Sequence, residues 1–238
     1  MKIINTIIII VLFSTLALAD VIITAKQRGN LVKTFIKKNL LKNKTTDFEF
    51  IFNGNTETFY TVDHKEKKVI ITTKDDLEKL KMFSAMFGGN FNRFNQNNDS
   101  NQNLTITKLG TKVIASCNTD GYRFITTNSN NDVYFCKDKK ILKNINLETT
   151  DKFLEFLTIN NKQKMLTYNM EKYGIPFYVK DNLKNEVIYE VEKIEFKNLK
   201  LSIFDYPKNY QIMKTSEMLN QIPQIPQGLP ENIPNIPN

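Results

Sequence analysis

The chain of 238 residues has no tryptophan, one histidine, two cysteines and eight glycines. Lysine greatly outnumbers arginine and asparagine is abundant. An AT-rich genome produces that bias without functional demand, so the missing tryptophan carries no message. The single histidine, His64, sits between Asp63 and Lys65 in what reads as an exposed, charged turn. A nucleophile with a base and an orienting acid needs a positioned proton acceptor, and His64 is poorly placed to be one. Two sulfurs do not make a metal site without further ligands, and His64 is far from both in sequence. Gly88-Gly89 lacks the flanking pattern of a phosphate-cradling loop. The carboxylate pairs Asp75-Asp76 and Glu190 with Glu192 suit a helix start and a strand surface, and no second acidic motif marks a glycosidase-like site. These absences point away from an enzyme, and no cofactor or metal is expected.

Long apolar runs are also scarce. The one from Ile7 to Phe13 follows Lys2 and precedes Ala17-Leu18-Ala19, which is the order of a charged n-region, an apolar h-region and a small-x-small cut site. The run is short of the roughly 20 residues that span a bilayer, and Asp20 follows at once, so residues 1–19 read as a cleavable signal peptide. No cysteine follows the h-region to take a lipid, and no second run of spanning length occurs, so no transmembrane segment is expected after cleavage. The formal charge of +8 drops by one when Lys2 leaves. Its lysines alternate with acids, as in Asp63-His64-Lys65-Glu66-Lys67-Lys68, which is the pattern of a solvated face rather than of a nucleic-acid patch.

What remains is enough for one domain, residues 20–218, with a proline-rich tail at 219–238. Between Thr24 and Asn43, Leu31, Phe35 and Leu40 recur at helical spacing among lysines, which predicts a basic amphipathic helix. Phe48, Phe50 and Phe52 alternate with polar neighbours and predict a strand with one aromatic face; Asn53-Gly54-Asn55 then turns the chain into a meander ending near Thr73. Asp75 and Asp76 open a helix carrying Leu77, Leu80, Phe83 and Phe87. An Asn-rich loop, 90–103, follows it. Four short strands are expected at Leu104–Leu109, Lys112–Ser116, Tyr122–Thr127 and Asp132–Lys137, and a third helix over Thr149–Tyr168. In the strand Glu186–Lys197, Val187, Tyr189 and Val191 share one phase while Ile194 and Phe196 fall in the other; a bulge near Glu192-Lys193 would restore a single buried face. Proline at nearly every third position of the tail favours an extended, disordered segment, or one that docks on a partner.

Cys117 and Cys136, an even pair in an exported chain, read as a disulfide, with two buried thiols as the alternative. A tight turn at Asn118–Gly121 would put a strand between them and leave them about 10 Å apart at a strand spacing of roughly 4.8 Å. The bond needs Cα atoms within about 7 Å, so it requires a looser excursion there.

The order of these pieces, with Tyr60-Thr61-Val62-Asp63 through Lys67-Lys68-Val69, Leu109-Gly110-Thr111-Lys112-Val113 through Cys117 and Cys136, and Gly174-Ile175-Pro176 through Phe204-Asp205-Tyr206-Pro207-Lys208-Asn209-Tyr210, resembles exported proteins related to the periplasmic lipoprotein carrier LolA. The resemblance implies an α+β fold, an antiparallel open half-barrel sheet wrapped around helices, with an apolar cleft that takes a lipid or lipoprotein acyl chain. No lipid-contacting residue of the carrier transfers to this chain by a local motif. The apolar cleft is expected instead from Phe48, Phe50, Phe52, Val187, Tyr189 and Val191. The expected place is the periplasm first and the extracellular space second. Two other readings stand beside this one: a surface interaction protein that binds a partner through its proline-rich tail, and a eukaryotic secreted glycoprotein of unrelated fold, for which Asn43, Asn98 and Asn103 would be glycan acceptors. Oligomeric state is not legible.

The signal reading makes a direct prediction. Protein recovered from its native host should have an intact mass that begins at Asp20; a mass retaining Met1 would overturn it.

Overall fold

From Asp20 onward apolar and polar side chains alternate over successive short stretches separated by two-residue breaks, and many of the apolar ones are β-branched. A pleated backbone sorts such stretches onto two faces. The computed structural model of the chain describes residues 19–80, 104–150, 152–153 and 170–220. Strands β1 (Asp20–Gln27), β2 (Asn30–Lys37), β3 (Leu40–Lys44), β4 (Phe48–Asn53), β5 (Thr58–Asp63) and β6 (Lys68–Thr72) form a continuous meander. After a helix at 74–80 (α1) come β7 (Thr105–Ile114), β8 (Cys117–Thr126) and β9 (Ser129–Cys136). Helix α2 (Lys139–Asn144), a helical turn at 147–150 (α3) and α4 (Met170–Tyr173) precede β10 (Ile175–Asp181) and β11 (Glu186–Lys197). A 3-10 turn at Leu201–Phe204 leads to β12 (Gln211–Lys214) and α5 (Thr215–Asn220).

Among the described residues twelve strands form one mixed sheet in the order β12-β6-β5-β4-β3-β2-β1-β11-β10-β9-β8-β7. Only β12 with β6 is parallel. This corrects the α+β half-barrel: the chain is mainly β, the sheet is open at β12 and β7, and the helices among the described residues are short. The main cause is the segment expected to be a basic amphipathic helix, which is instead β1 to β3. Val21, Ile23 and Ala25, then Val32 and Ile36, then Leu41 are buried with the alternation of strands. Phe35 and Leu40 pack on the opposite face, so the apparent helical spacing mixed residues from two faces. Arg28 and Gly29, at φ 48° and 80°, make the two-residue turn that this hairpin needs.

Two registers settle other expectations. Residues Asn118–Gly121 are not a turn but lie in the first half of β8, paired with β9 through Thr119↔Cys136 and Gly121↔Tyr134. The turn lies earlier, at Ala115-Ser116, and the two short strands expected before it are one strand, β7, irregular at Leu109. Cys117 and Cys136 therefore stand on neighbouring strands with Cα atoms 6.1 Å apart and are joined by a disulfide. In β11 the pairing jumps from Thr24↔Lys193 to Ala25↔Val191, so Glu192 is the expected bulge, and Val191, Ile194 and Phe196 share the core face. A second irregularity, between Val179↔Tyr189 and Lys180↔Val187, puts Val187 out of phase with Tyr189.

Both faces of the sheet are packed. On the first, Val21, Ile36, Phe52 and Phe59 meet Leu77 of α1 and Ile141 of α2. Phe52 and Phe59 are register partners with ring centroids 4.2 Å apart, a cross-strand pair worth about 0.5–1 kcal/mol beyond its burial. On the second face Ile51, Val62 and Val69 are covered by Leu199 and Phe204. A third cluster joins Phe124, Val133 and Phe135 to Tyr173 of α4. Among the described residues no helix is long and apolar enough to cross a membrane. The signal segment 1–18, Phe83 and Phe87, the Asn-rich loop, the helix expected beyond residue 153 and the tail from 221 lie outside the described residues.

Gly174 ends α4 at φ 96°, and a Cβ there would collide with the Cys136 carbonyl oxygen. Gly29, at φ 80°, has no atom within 4 Å of that position. Gly174→Ala should therefore cost about 2–4 kcal/mol in denaturant unfolding, from clash and strain together. Gly29→Ala should cost only about 1–2 kcal/mol, from strain alone. Equal losses would refute the assigned packing.

Candidate functional site

The bulge in β11, the β7–β8 turn and the start of α2 enclose a cleft of about 370 Å³. Local chemistry fixes each wall. Asp138 caps α2, its carboxylate accepting hydrogen bonds from the Lys140 and Ile141 backbone N–H groups at 2.7 and 3.4 Å. The disulfide ties Cys117, beside the turn, to Cys136, two residues before that cap. Ile141, Ile194 and Phe196, with Ala115 and Cys117, make the apolar lining, and Ser116, Asp138, Lys140, Glu192 and Lys193 complete it.

The charges at the cleft are mostly matched. Glu192 pairs with Lys26 at 2.5 Å and Lys193 with Glu195 at 3.3 Å. Glu192 first among its neighbours, by hydrogen bond and charge, raises the Lys26 ammonium above its ordinary range. Lys140 places its ammonium 4.4 Å from the centre of the Phe196 ring, a cation–π contact.

None of the six residues expected to line a cleft is among those that line this one. Phe52 and Val191 are buried in the first core, Phe50 and Tyr189 are partly buried against it, and Phe48 and Val187 are exposed. Phe48, Phe50 and Phe52 do share a face on β4, but β3, β2 and β1 separate that strand from β11. Burial pushes the Tyr189 phenol up to about 12. Sequence reading missed the α2 side of the cleft. Asp138 followed three residues later by Ile141 is the signal that was there to be used, a cap before the first buried helical position.

A second polar cluster lies on the opposite face. Glu49, almost fully buried, is met by Lys42 at 2.5 Å, Lys44 at 2.9 Å and His64 Nε2 at 3.3 Å. His64 Nδ1 lies 2.9 Å from the Tyr210 hydroxyl. The histidine read as exposed is thus half-buried and links β5's end to the segment before β12. Burial pushes the Glu49 carboxyl up, but hydrogen bonds and charge from Lys42 and Lys44 together outweigh it and hold the group below its ordinary value. A carboxylate so held is a poor general base near neutral pH. Asn43, one of the three sequons, sits in β3 with its side-chain amide donating to Thr34 at 3.2 Å.

Comparison with known proteins adds the following. Residues 20–210 match the family described as "Domain of unknown function (DUF4412)", and the chain belongs to that family. No curated protein matches the chain. Among solved structures it is similar to an uncharacterized conserved protein from Thermus thermophilus, at TM-score 0.46 and 8% identity over 83% of this chain and 91% of that one. It is also similar to PNGF-II, at 0.43 and 10%, covering 86% of this chain but 33% of that one. MucB gives 0.38 and 6%, covering 81% of this chain and 59% of MucB.

The Glu49 cluster predicts a pH-dependent stability. A carboxylate whose folded pKa is depressed stabilises the fold above its ordinary pKa of 4.5 and loses that contribution as pH falls through the lower folded value. Glu49→Gln leaves Lys42 buried beside a neutral amide and should cost about 3–5 kcal/mol at pH 7. In thermal melts the gap between the two proteins should narrow as pH is lowered below 4.5. A gap that is constant with pH would refute the ion network.

Proposed function

We propose that this DUF4412 protein is an exported, non-enzymatic envelope protein, held in the periplasm, that takes a lipid acyl chain into the cleft between β11, α2 and the β7–β8 turn. The observation that carries the reading is the cleft itself. Its 370 Å³ falls in the range of small-ligand sites, and Ile141, Ile194 and Phe196 offer an acyl chain apolar contact. Export is supported by the signal pattern in residues 1–19 and by the Cys117–Cys136 disulfide, a bond that persists in oxidising compartments. The likeness of three stretches of sequence to lipoprotein-carrier relatives supports lipid handling. The non-enzymatic reading is supported by Glu49, whose carboxyl, against the push of burial, Lys42 and Lys44 hold below its ordinary value, which makes it a poor general base near neutrality.

An uncharged environment-sensitive dye should bind the folded protein and be displaced by a fatty acid. Native mass spectrometry of protein taken gently from its own compartment should show a bound lipid. Absence of both, with the fold intact by circular dichroism, would remove the reading.

A further inference from the structure

Resting on that reading, we propose that the cleft's ligand is a single-chain amphiphile with an anionic head, a carboxylate or phosphate oxygen held by Lys140. The charges decide the sign. Of the four charged side chains at the cleft, Asp138 is engaged by the α2 backbone, Glu192 by Lys26 and Lys193 by Glu195. Lys140 is the one with no carboxylate partner among the described residues, and its ammonium rests on the Phe196 ring instead. Asp138 keeps its negative charge, but its carboxylate is held by the α2 N–H groups, so Lys140 is the cation at the rim without an ion pair, next to an apolar surface. An anionic oxygen arriving there forms a charge-assisted hydrogen bond without displacing an existing ion pair, while a cationic head meets repulsion.

The volume decides the number of chains. At about 30 Å³ per small heavy-atom group, the share a water takes in the liquid, the cleft holds about a dozen such groups. That is one chain of medium length, its apolar part against Ile141, Ile194 and Phe196, and too little for two.

The test uses the full chain and a neutral dye displaced by dodecanoate, dodecyl phosphate, dodecanol or dodecyltrimethylammonium. Dodecanoate and dodecyl phosphate should displace at about tenfold lower concentration than dodecanol, the factor expected from one charge-assisted contact at an exposed rim. The cationic probe should be the weakest. The ratio between dodecanol and dodecanoate should fall to about one in Lys140→Gln and persist in Lys140→Arg. Lys140 is exposed, so both variants should fold, as circular dichroism checks. Which of the two anions is tighter tells a carboxylate ligand from a phosphate-headed one. Equal displacement by dodecanol and dodecanoate, or a ratio unchanged in Lys140→Gln, would overturn this inference and leave the cleft reading standing. Displacement by none of the four would overturn the cleft reading itself.

Discussion

β1 is hydrogen-bonded along both edges, to β2 on one side and to β11 on the other, and the rest of the architecture hangs on that double pairing. Without it there would be two separate antiparallel meanders, β1 to β6 and β7 to β11, each with one more unsatisfied edge. The join begins at Asp20, whose buried carboxylate accepts from the Lys37 ammonium and the Leu199 backbone N–H, both at 2.7 Å. A carboxylate there closes the donor of a residue that has just left the sheet, and so fixes where β11 ends and where the covering segment starts. The β11 bulge that forms one wall of the cleft lies in the same pairing, opposite Thr24 and Ala25.

The segment from Leu199 to Tyr210 then does for the second face what the helices do for the first. Leu199 and Phe204 fill it, Tyr206 stacks on Tyr60 with centroids 5.1 Å apart, and Tyr210 reaches His64. The stretch shared with the DUF4412 family, 20–210, opens on the Asp20 carboxylate and closes on that tyrosine. The boundaries of the matched stretch thus coincide with two polar anchors to the sheet. Buried charge in such a place is costly unless paired, and Glu49 shows the same rule at work in the middle of the sheet, with two lysines and an imidazole around one carboxylate.

How much of this was legible in the residues depended on how many faces each strand buries. β4 to β6 carried a clear alternation and were read correctly from Phe48, Phe50 and Phe52 and the following turns. The β11 bulge was legible because Ile194 and Phe196 fell out of phase with Val191, and only an extra residue reconciles them. β1 to β3 were not, because Ile22, Phe35 and Leu40 serve one face while Val21, Ile36 and Leu41 serve the other, and two superposed period-two patterns imitate a helical one. β8 was hidden by residues with turn chemistry. Thr119 is in fact buried with its hydroxyl donating to the Lys112 carbonyl at 2.8 Å, and Gly121 makes room for the Tyr134 ring, whose nearest atom lies 2.5 Å from where a Cβ would stand. The cleft drew Ile194 and Phe196 from a strand that could be read, and Lys140 and Ile141 from a six-residue helix too short to leave a period.

The pairing of Asp20 with Lys197 also sets the order of events in folding. The first strand of the sheet has its neighbour on one side supplied at once by a hairpin, but its other neighbour arrives only after almost all of the intervening sequence. Closing so large a loop is entropically slow compared with local hairpins, and contacts of high sequence separation delay the rate-limiting step. The meander β1 to β6 can therefore collapse early with β1 as a temporary open edge, a template for unwanted strand addition until β11 docks. A chain built this way gains from being kept extended until its last strands are available, which is the condition of a polypeptide threaded unfolded through a secretion channel.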